Sequence, residues 1–127
     1  MTAYLDSGWL ASPTDPAAEA LGATGTTLSI GRIITGAPDG EARFTARVAS
    51  GEVTYEAGVP DDVDVTFTDT YANALAVLRG DLDPNASFMR GQTKVTGSTN
   101  LLLEVLAATK TERYLELRNA LAAAVDA

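Results

Sequence analysis

The 127-residue chain contains neither cysteine nor histidine. The first absence excludes disulfides, thiolate nucleophiles and thiolate metal sites. The second removes the commonest metal ligand and the usual general base, and with them every Ser-His or Cys-His catalytic arrangement. Basic residues are also scarce: nine Lys and Arg stand against seventeen Asp and Glu, a formal net charge of -8. Such a surface repels a nucleic acid backbone, so nucleic acid is excluded as a partner. With no cluster of Lys and Arg, membrane contact is expected to be transient and apolar at most. No apolar run approaches the ~20 residues that span a bilayer. The start, Met1-Thr2-Ala3-Tyr4-Leu5-Asp6, lacks the basic flank and apolar stretch of a signal peptide, and the expected location is cytoplasmic.

What the chain does have is 46% hydrophobic residues, enough for one hydrophobic core, and the expectation is a single domain over residues 1–127. Asp15 as N-cap, Pro16 at the first helical position and Gly22 as a stop define a first short helix. Ahead of it Tyr4, Leu5, Trp9 and Leu10 form an apolar cluster, with Trp9, the only tryptophan, read as a packing anchor. From Thr27 the period becomes two. Ala42, Phe44, Ala46 and Val48 alternate with polar residues, then Val53, Tyr55 and Ala57, then Val63, Val65 and Phe67, each the pattern of a half-buried strand. Pro38-Asp39-Gly40 and Ala49-Ser50-Gly51 read as hairpin turns. The run over 28–35 is less regular, and Gly31 is read as a bulge.

Helical spacing returns after Asp69, taken as an N-cap, with Tyr71, Leu75 and Leu78 on one stripe closed by Gly80. Asp83 and Pro84 open a short helix through Phe88 and Met89, ended by Gly91. A strand follows over 93–97, with Val95 inward. A nearly all-apolar helix then carries Leu101, Leu102, Leu103, Val105 and Leu106. Thr109 and Glu112 have capping-box spacing for a final helix over 110–126 striped by Tyr114, Leu117, Leu121 and Val125. The fold class is α+β: a mainly antiparallel five-stranded sheet with helices packed on one face and the other face solvated.

Few constellations suggest chemistry. Asp81-x-Asp83-x-Asn85 matches the opening of a calcium loop, but Ala86 and Gln92 replace the required Gly and Glu. The acidic group Asp61, Asp62, Asp64 and Asp69 reads as turn, solvent-facing and cap positions. Asn85-Ala86-Ser87 is a glycosylation sequon only in a secreted protein. No metal, cofactor or catalytic residue is assigned. What remains is an apolar set converging on one sheet face: Val65, Phe67, Leu75, Leu78, Phe88, Met89, Val95, Leu102, Leu103, Leu106, Tyr114, Leu117 and Leu121. On composition alone such a set is more often core than pocket.

The order Asp64-Val65-Thr66, Leu78-Arg79-Gly80-Asp81-Leu82-Asp83-Pro84 and Phe88-Met89-Arg90-Gly91-Gln92-Thr93-Lys94-Val95-Thr96-Gly97 resembles the sterol carrier protein-2 family of lipid-binding domains, in its bacterial single-domain type. The resemblance runs from about Gly51 to Leu106 and is loose before Gly36. It implies a hydrophobic tunnel between sheet and helices, walled by the apolar set above. The implied function is non-catalytic carriage of fatty acyl, sterol or isoprenoid-like molecules. A pocket of several hundred cubic ångströms left empty would cost on the order of 10 kcal/mol, so it should be filled, hydrated, small or collapsed. No charged side chain is assigned an inward place, so loose specificity is expected. The final helix is a candidate lid, and a fixed core helix or a dimer face remain open for it. Two other readings stay open: an accessory module that forms a homodimer or serves a partner enzyme, and a small enzyme using Tyr55, Tyr71 or Tyr114 with a desolvated carboxylate.

Overall fold

A computed structural model describes residues 2–126. The N-terminal strand β1 (Thr2–Ala3) leads into α1 (Ser7–Leu10), capped by Asp6 accepting from the Trp9 N–H, and then α2 (Pro16–Gly22), where Asp15 is the N-cap and Pro16 opens the helix. Strands β2 (Leu28–Ala37), β3 (Gly40–Ala49), β4 (Glu52–Ala57) and β5 (Val65–Thr70) follow. Next come α3 (Tyr71–Arg79), α4 (Pro84–Met89), β6 (Lys94–Gly97), α5 (Thr99–Ala108), α6 (Glu112–Ala124) and β7 (Val125–Asp126).

The main sheet has the order β4-β3-β2-β5-β6 and is mixed rather than mainly antiparallel, because β2 and β5 at its centre run parallel, from Ile30 beside Val65 to Thr35 beside Thr70. Alternation along a strand fixes which side chains face inward but carries no direction, so this pairing was not readable from the pattern. Its origin is the connection over residues 58–64. Strand β5 must lie three strand spacings from β4, about 14 Å away, and the chain steps from Ala57 to Val65 through this seven-residue connection reach at most about 26–29 Å. The chain therefore crosses the outer sheet face on a diagonal, with no helix in between. On the way Thr45 Oγ1 donates to the Gly58 carbonyl at 2.7 Å and Arg47 pairs with Asp62 at 3.2 Å. The Ser29 N–H then donates to Asp64 Oδ2 at 2.8 Å.

This crossing also explains Gly31. The register irregularity of β2 lies between Ile34 and Ala37, not at Gly31. A Cβ at Gly31 would stand 2.5 Å from Val59 Cγ1, so the glycine makes room for the crossover. The outer face is thus covered at its centre, where Thr45 and Ser29 are buried, instead of being uniformly solvated.

Two helix starts also differ from expectation. Thr70, not Asp69, caps α3 by accepting from the Asn73 N–H, because β5 runs on through Thr70 and the helix begins only at Tyr71. Thr111, not Thr109, caps α6, because the Thr109 hydroxyl closes α5 by donating to the Leu106 carbonyl at 2.6 Å. Val125 leaves the helical stripe for an extended conformation, and β7 pairs in parallel with β1, tying the two ends of the chain together.

The helices cover the inner sheet face over two apolar clusters. One gathers Leu28, Ile30, Val48, Val65, Phe67, Leu102, Val105, Leu106 and Tyr114. The other gathers Leu5, Trp9, Ile34, Phe44, Leu78, Leu121 and Val125, with Trp9 edge-on to both Tyr4 and Phe44. Gly97 docks β6 on β5: its φ is +116°, and a Cβ there would overlap the Asp64 carbonyl and stand 2.9 Å from Val65 Cα. Replacing Gly97 with Ala is expected to cost about 3 kcal/mol or more, from a disfavoured backbone conformation and a backbone clash together. Urea denaturation checks this, and a loss below about 1 kcal/mol would contradict the packing described.

Candidate functional site

Between the two clusters, under α2, α3, α5 and α6, the inner face of the sheet leaves a partly enclosed cavity of about 90 Å³. The tunnel expected from the sequence is therefore not present in this conformation, since ligand pockets commonly run from ~300 to ~1,000 Å³. One wall is apolar, formed by Ile34, Phe44, Phe67, Leu78, Val105 and Leu106. A polar wall is formed by Tyr4, Asp15, Arg32, Asp69, Tyr114 and Arg118, with Arg32 standing between Phe44 and Phe67 on the sheet itself.

The thirteen sequence candidates divide accordingly. Phe67, Leu78, Leu106 and Tyr114 line the cavity. Val65, Leu102 and Leu121 are buried in the clusters behind it, and Phe88, Val95 and Leu117 pack against them half-buried. Leu75 is half-buried on α3. Met89 and Leu103 do not converge on the sheet face: they are 83% and 58% exposed. On α4 the inward side is taken by the buried Ser87 and by Phe88, which leaves Met89 facing away from the sheet. On α5 the buried stripe is Leu102, Val105 and Leu106, which leaves Leu103 on the opposite side.

Tyr114 apart, the polar wall was not anticipated. Arg32 sits at the same parity of β2 as Leu28, Ile30 and Ile34, which is the signal that could have found it. Its Nε donates to Asp15 Oδ2 at 2.8 Å and its Nη2 to Oδ1 at 3.3 Å, while its Cζ lies 4.6 Å from the Phe67 ring centroid. Asp15 Oδ1 also accepts from the N–H groups of Ala17 and Ala18, and the Asp15 N–H donates to the Tyr55 hydroxyl at 2.9 Å. One carboxylate thus caps α2 and anchors the central strand. Burial alone would lower the Arg32 pKa, but the charge and hydrogen bonds of Asp15, helped by Asp69, outweigh it and raise it.

Asp69 is held by a second network. Its Oδ1 accepts from Thr93 Oγ1 and from Asn73 Nδ2, both at 2.6 Å, and Asn73 Nδ2 also reaches Ser87 Oγ at 2.8 Å. The buried Ser87 hydroxyl lies 2.6 Å from that of Thr93. This joins α3, α4 and β6 to the end of β5. Asn85, read from sequence as part of a failed calcium loop, instead donates to the Leu106 carbonyl and the Thr109 hydroxyl, fixing α4 to α5. Among the described residues no group of three acidic side chains is placed to hold a metal.

The tyrosines do not suit proton transfer. Burial pushes Tyr114 up to about 12, with the Arg32 charge pulling the other way. Burial raises Tyr4, Tyr55 and Tyr71 as well. A general base or acid works best with a pKa near the operating pH. These shifts also predict alkaline behaviour. The folded chain keeps the phenols neutral while the unfolded chain ionises near pH ~10, so stability is complete below that value and falls as pH rises through the folded-state pKa. The urea midpoint is expected to stay flat to pH ~10 and to drop by pH ~12. A midpoint unchanged across that window would contradict the burial of these rings.

Comparison with known proteins gives a consistent result. The family model described as the SCP-2 sterol transfer family matches residues 18–110. A search of curated proteins returns no match. Among solved structures, a conserved hypothetical protein from Thermus thermophilus aligns with TM-score 0.64 and 15% identity, over 94% of this chain and 90% of that one. Sterol Carrier Protein 2 from Yarrowia lipolytica aligns with TM-score 0.58 and 16% identity, over 87% and 84%. The sec-alkylsulfatase Pisa1 from Pseudomonas sp. aligns with TM-score 0.51 and 16% identity over 74% of this chain, which spans only 14% of the sulfatase. At these identities the structural matches establish the fold. Among the described residues no helix is long and apolar enough to cross a membrane.

Proposed function

The chain belongs to the SCP-2 sterol transfer family, and on that premise we propose that residues 1–127 act as one non-catalytic carrier of lipid-like molecules. Fatty acyl, sterol and isoprenoid chains are the ligand classes considered. The observation that carries this reading is the cavity between sheet and helices with one apolar wall. Phe67, Leu78, Leu106 and Tyr114 are the proposed contact residues. Val65, Leu75, Phe88, Val95, Leu102, Leu117 and Leu121 form the repackable layer around them, and Met89 and Leu103 are outside it.

A volume of about 90 Å³ holds water or a small group, not a lipid chain. Uptake therefore requires the helices to part from the sheet. The collapsed cavity is consistent with the large stability cost of an empty one. Leu and Val side chains on the apolar wall repack without leaving a polar atom unpaired, which suits such a change.

Native mass spectrometry of the purified protein, followed by extraction and identification of whatever is released, tests this. Near-stoichiometric lipid is the expected result. A mass that stays bare after incubation with fatty acid and sterol panels would contradict it. A bare dimer would favour the accessory-module reading, for which the exposed Met89, Leu103 and Leu115 are the supporting feature.

A further inference from the structure

We propose that β4 is a docking edge for an extended basic peptide, which adds to the main sheet as a sixth strand; this does not rest on the carrier reading above. The order β4-β3-β2-β5-β6 leaves two edges. Edge β6 is blunted, being four residues long with Lys94 at its start and Gly97 at its end. Edge β4 is not. Its six residues include no Lys or Pro, and it pairs with β3 in unbroken register from Phe44 beside Ala57 to Ala49 beside Glu52.

The free backbone groups can be assigned. The Gly58 N–H donates to the Arg43 carbonyl at 3.1 Å, and antiparallel alternation then puts Glu52, Thr54 and Glu56 in the hydrogen-bonded pairs with β3. Val53, Tyr55 and Ala57 therefore turn their N–H and C=O groups away from the sheet. Among the described residues no turn, loop or cap backbone bonds to them. Beside this edge lies an open groove of about 430 Å³, lined by Glu19 and Gly22 of α2, Glu52 and Val53 of β4, and Arg113 of α6. It shares no lining residue with the cavity between sheet and helices.

Charge selects the occupant. Glu52 and Glu56 stand on one side of β4, about 13 Å apart along the strand. Arg47 reaches Glu56 at 2.7 Å, but Glu19 and Glu52 make no ion pair among the described residues. A second copy of this chain would bring its own Glu52 and Glu56 to the same sheet face, placing like charges on adjacent strands. An extended segment with Lys or Arg at positions i and i+4 matches both glutamates instead, and the net charge of -8 favours its approach. Main-chain pairing supplies the affinity, and the alternate side chains supply the selectivity.

The test is an NMR titration of the amide-labelled full chain with three end-capped peptides: Gly-Lys-Val-Thr-Val-Lys-Gly, the same peptide N-methylated at both valines, and Gly-Glu-Val-Thr-Val-Glu-Gly. With the lysines opposite Glu52 and Glu56, the valines fall in the hydrogen-bonded pairs with β4. The basic peptide is expected to shift the amides of Val53, Tyr55 and Ala57 saturably, and the other two peptides to bind at least about tenfold more weakly. Glu52 is exposed, so Glu52→Lys should keep the fold and take the acidic peptide at least as tightly as the basic one. Equal binding of the N-methylated peptide, an unchanged preference in Glu52→Lys, or no saturable shifts on β4 would overturn the proposal. Dimerisation of the peptide-free chain through β4 would overturn it as well.

Discussion

Replacing Asp15 with Ala is expected to lower the unfolding free energy by about 3–5 kcal/mol, a large fraction of the ~5–15 kcal/mol that holds a domain together. The expectation follows from what the carboxylate touches. Asp15 is 3% exposed, receives Arg32 at 2.8 Å and caps the first turn of α2. Its removal strands the Arg32 guanidinium on the inner face of the sheet and leaves two helix N–H groups without an acceptor. The cap alone accounts for about 1 kcal/mol; the larger part is the uncompensated charge.

That division can be measured. An Asp15→Asn, Arg32→Met double variant keeps a capping side chain and removes both charges, and it should regain most of the loss, because an apolar replacement of a buried pair is often close to neutral. Urea denaturation of the native chain, the single variant and the double variant reads each term. If Asp15→Ala loses no more than about 1 kcal/mol, the ion pair is not the anchor it is taken to be.

The largest functional effect is expected from Leu106→Trp. Leu106 lies on the cavity wall and is 8% exposed, so the indole projects into the space a ligand chain would open. Uptake of a fluorescent fatty acid analogue should fall at least tenfold, while overpacking costs about 1–3 kcal/mol and leaves the fold in place. Leu103→Trp, three residues away on the exposed side of α5, should leave uptake unchanged. The pair separates the cavity from the apolar surface. Equal losses in both, or in neither, would place the binding site elsewhere.

Much of the fold was legible in the sequence because its signals are local. Alternation in 42–48 and 53–57 gave two strands within a residue or two, and Asp15-Pro16 and Gly80 marked helix ends by backbone chemistry alone. What was missed depends on residues far apart in the chain. The parallel β2–β5 pair rests on where the 58–64 connection lands, which no strand pattern encodes. Arg32 shares the inward parity of Ile30 and Ile34, yet a charge there makes sense only with Asp15, seventeen positions earlier, in reach. The Asp69, Asn73, Ser87 and Thr93 network is likewise assembled from β5, α3, α4 and the residue just before β6. Asp69 reads locally as a helix cap because its side chain suits that role, and only the extension of β5 by one residue takes it away.

The candidate site was half legible. Phe67, Leu78, Leu106 and Tyr114 could be picked because stripes and strand faces report burial. Burial alone does not separate a wall from the layer behind it, so Val65 and Leu102 looked the same. Met89 and Leu103 were included because a dense apolar run suggests a helix buried all round, whereas α4 and α5 each keep one side in water. Apart from Tyr114 the polar wall escaped, since it joins Arg32 and Asp69 on the central strands to Tyr4, Asp15 and Arg118 from the two ends of the chain.

The most direct test of lipid carriage in the cavity is an NMR titration of the methyl-labelled chain with a long-chain fatty acid kept below its micelle threshold. Saturable shifts at one ligand per chain, concentrated on the methyl groups of Ile34, Leu78, Val105 and Leu106, are the predicted result. Shifts confined to Met89, Leu103 and Leu115, or no saturable shifts at all, would contradict it.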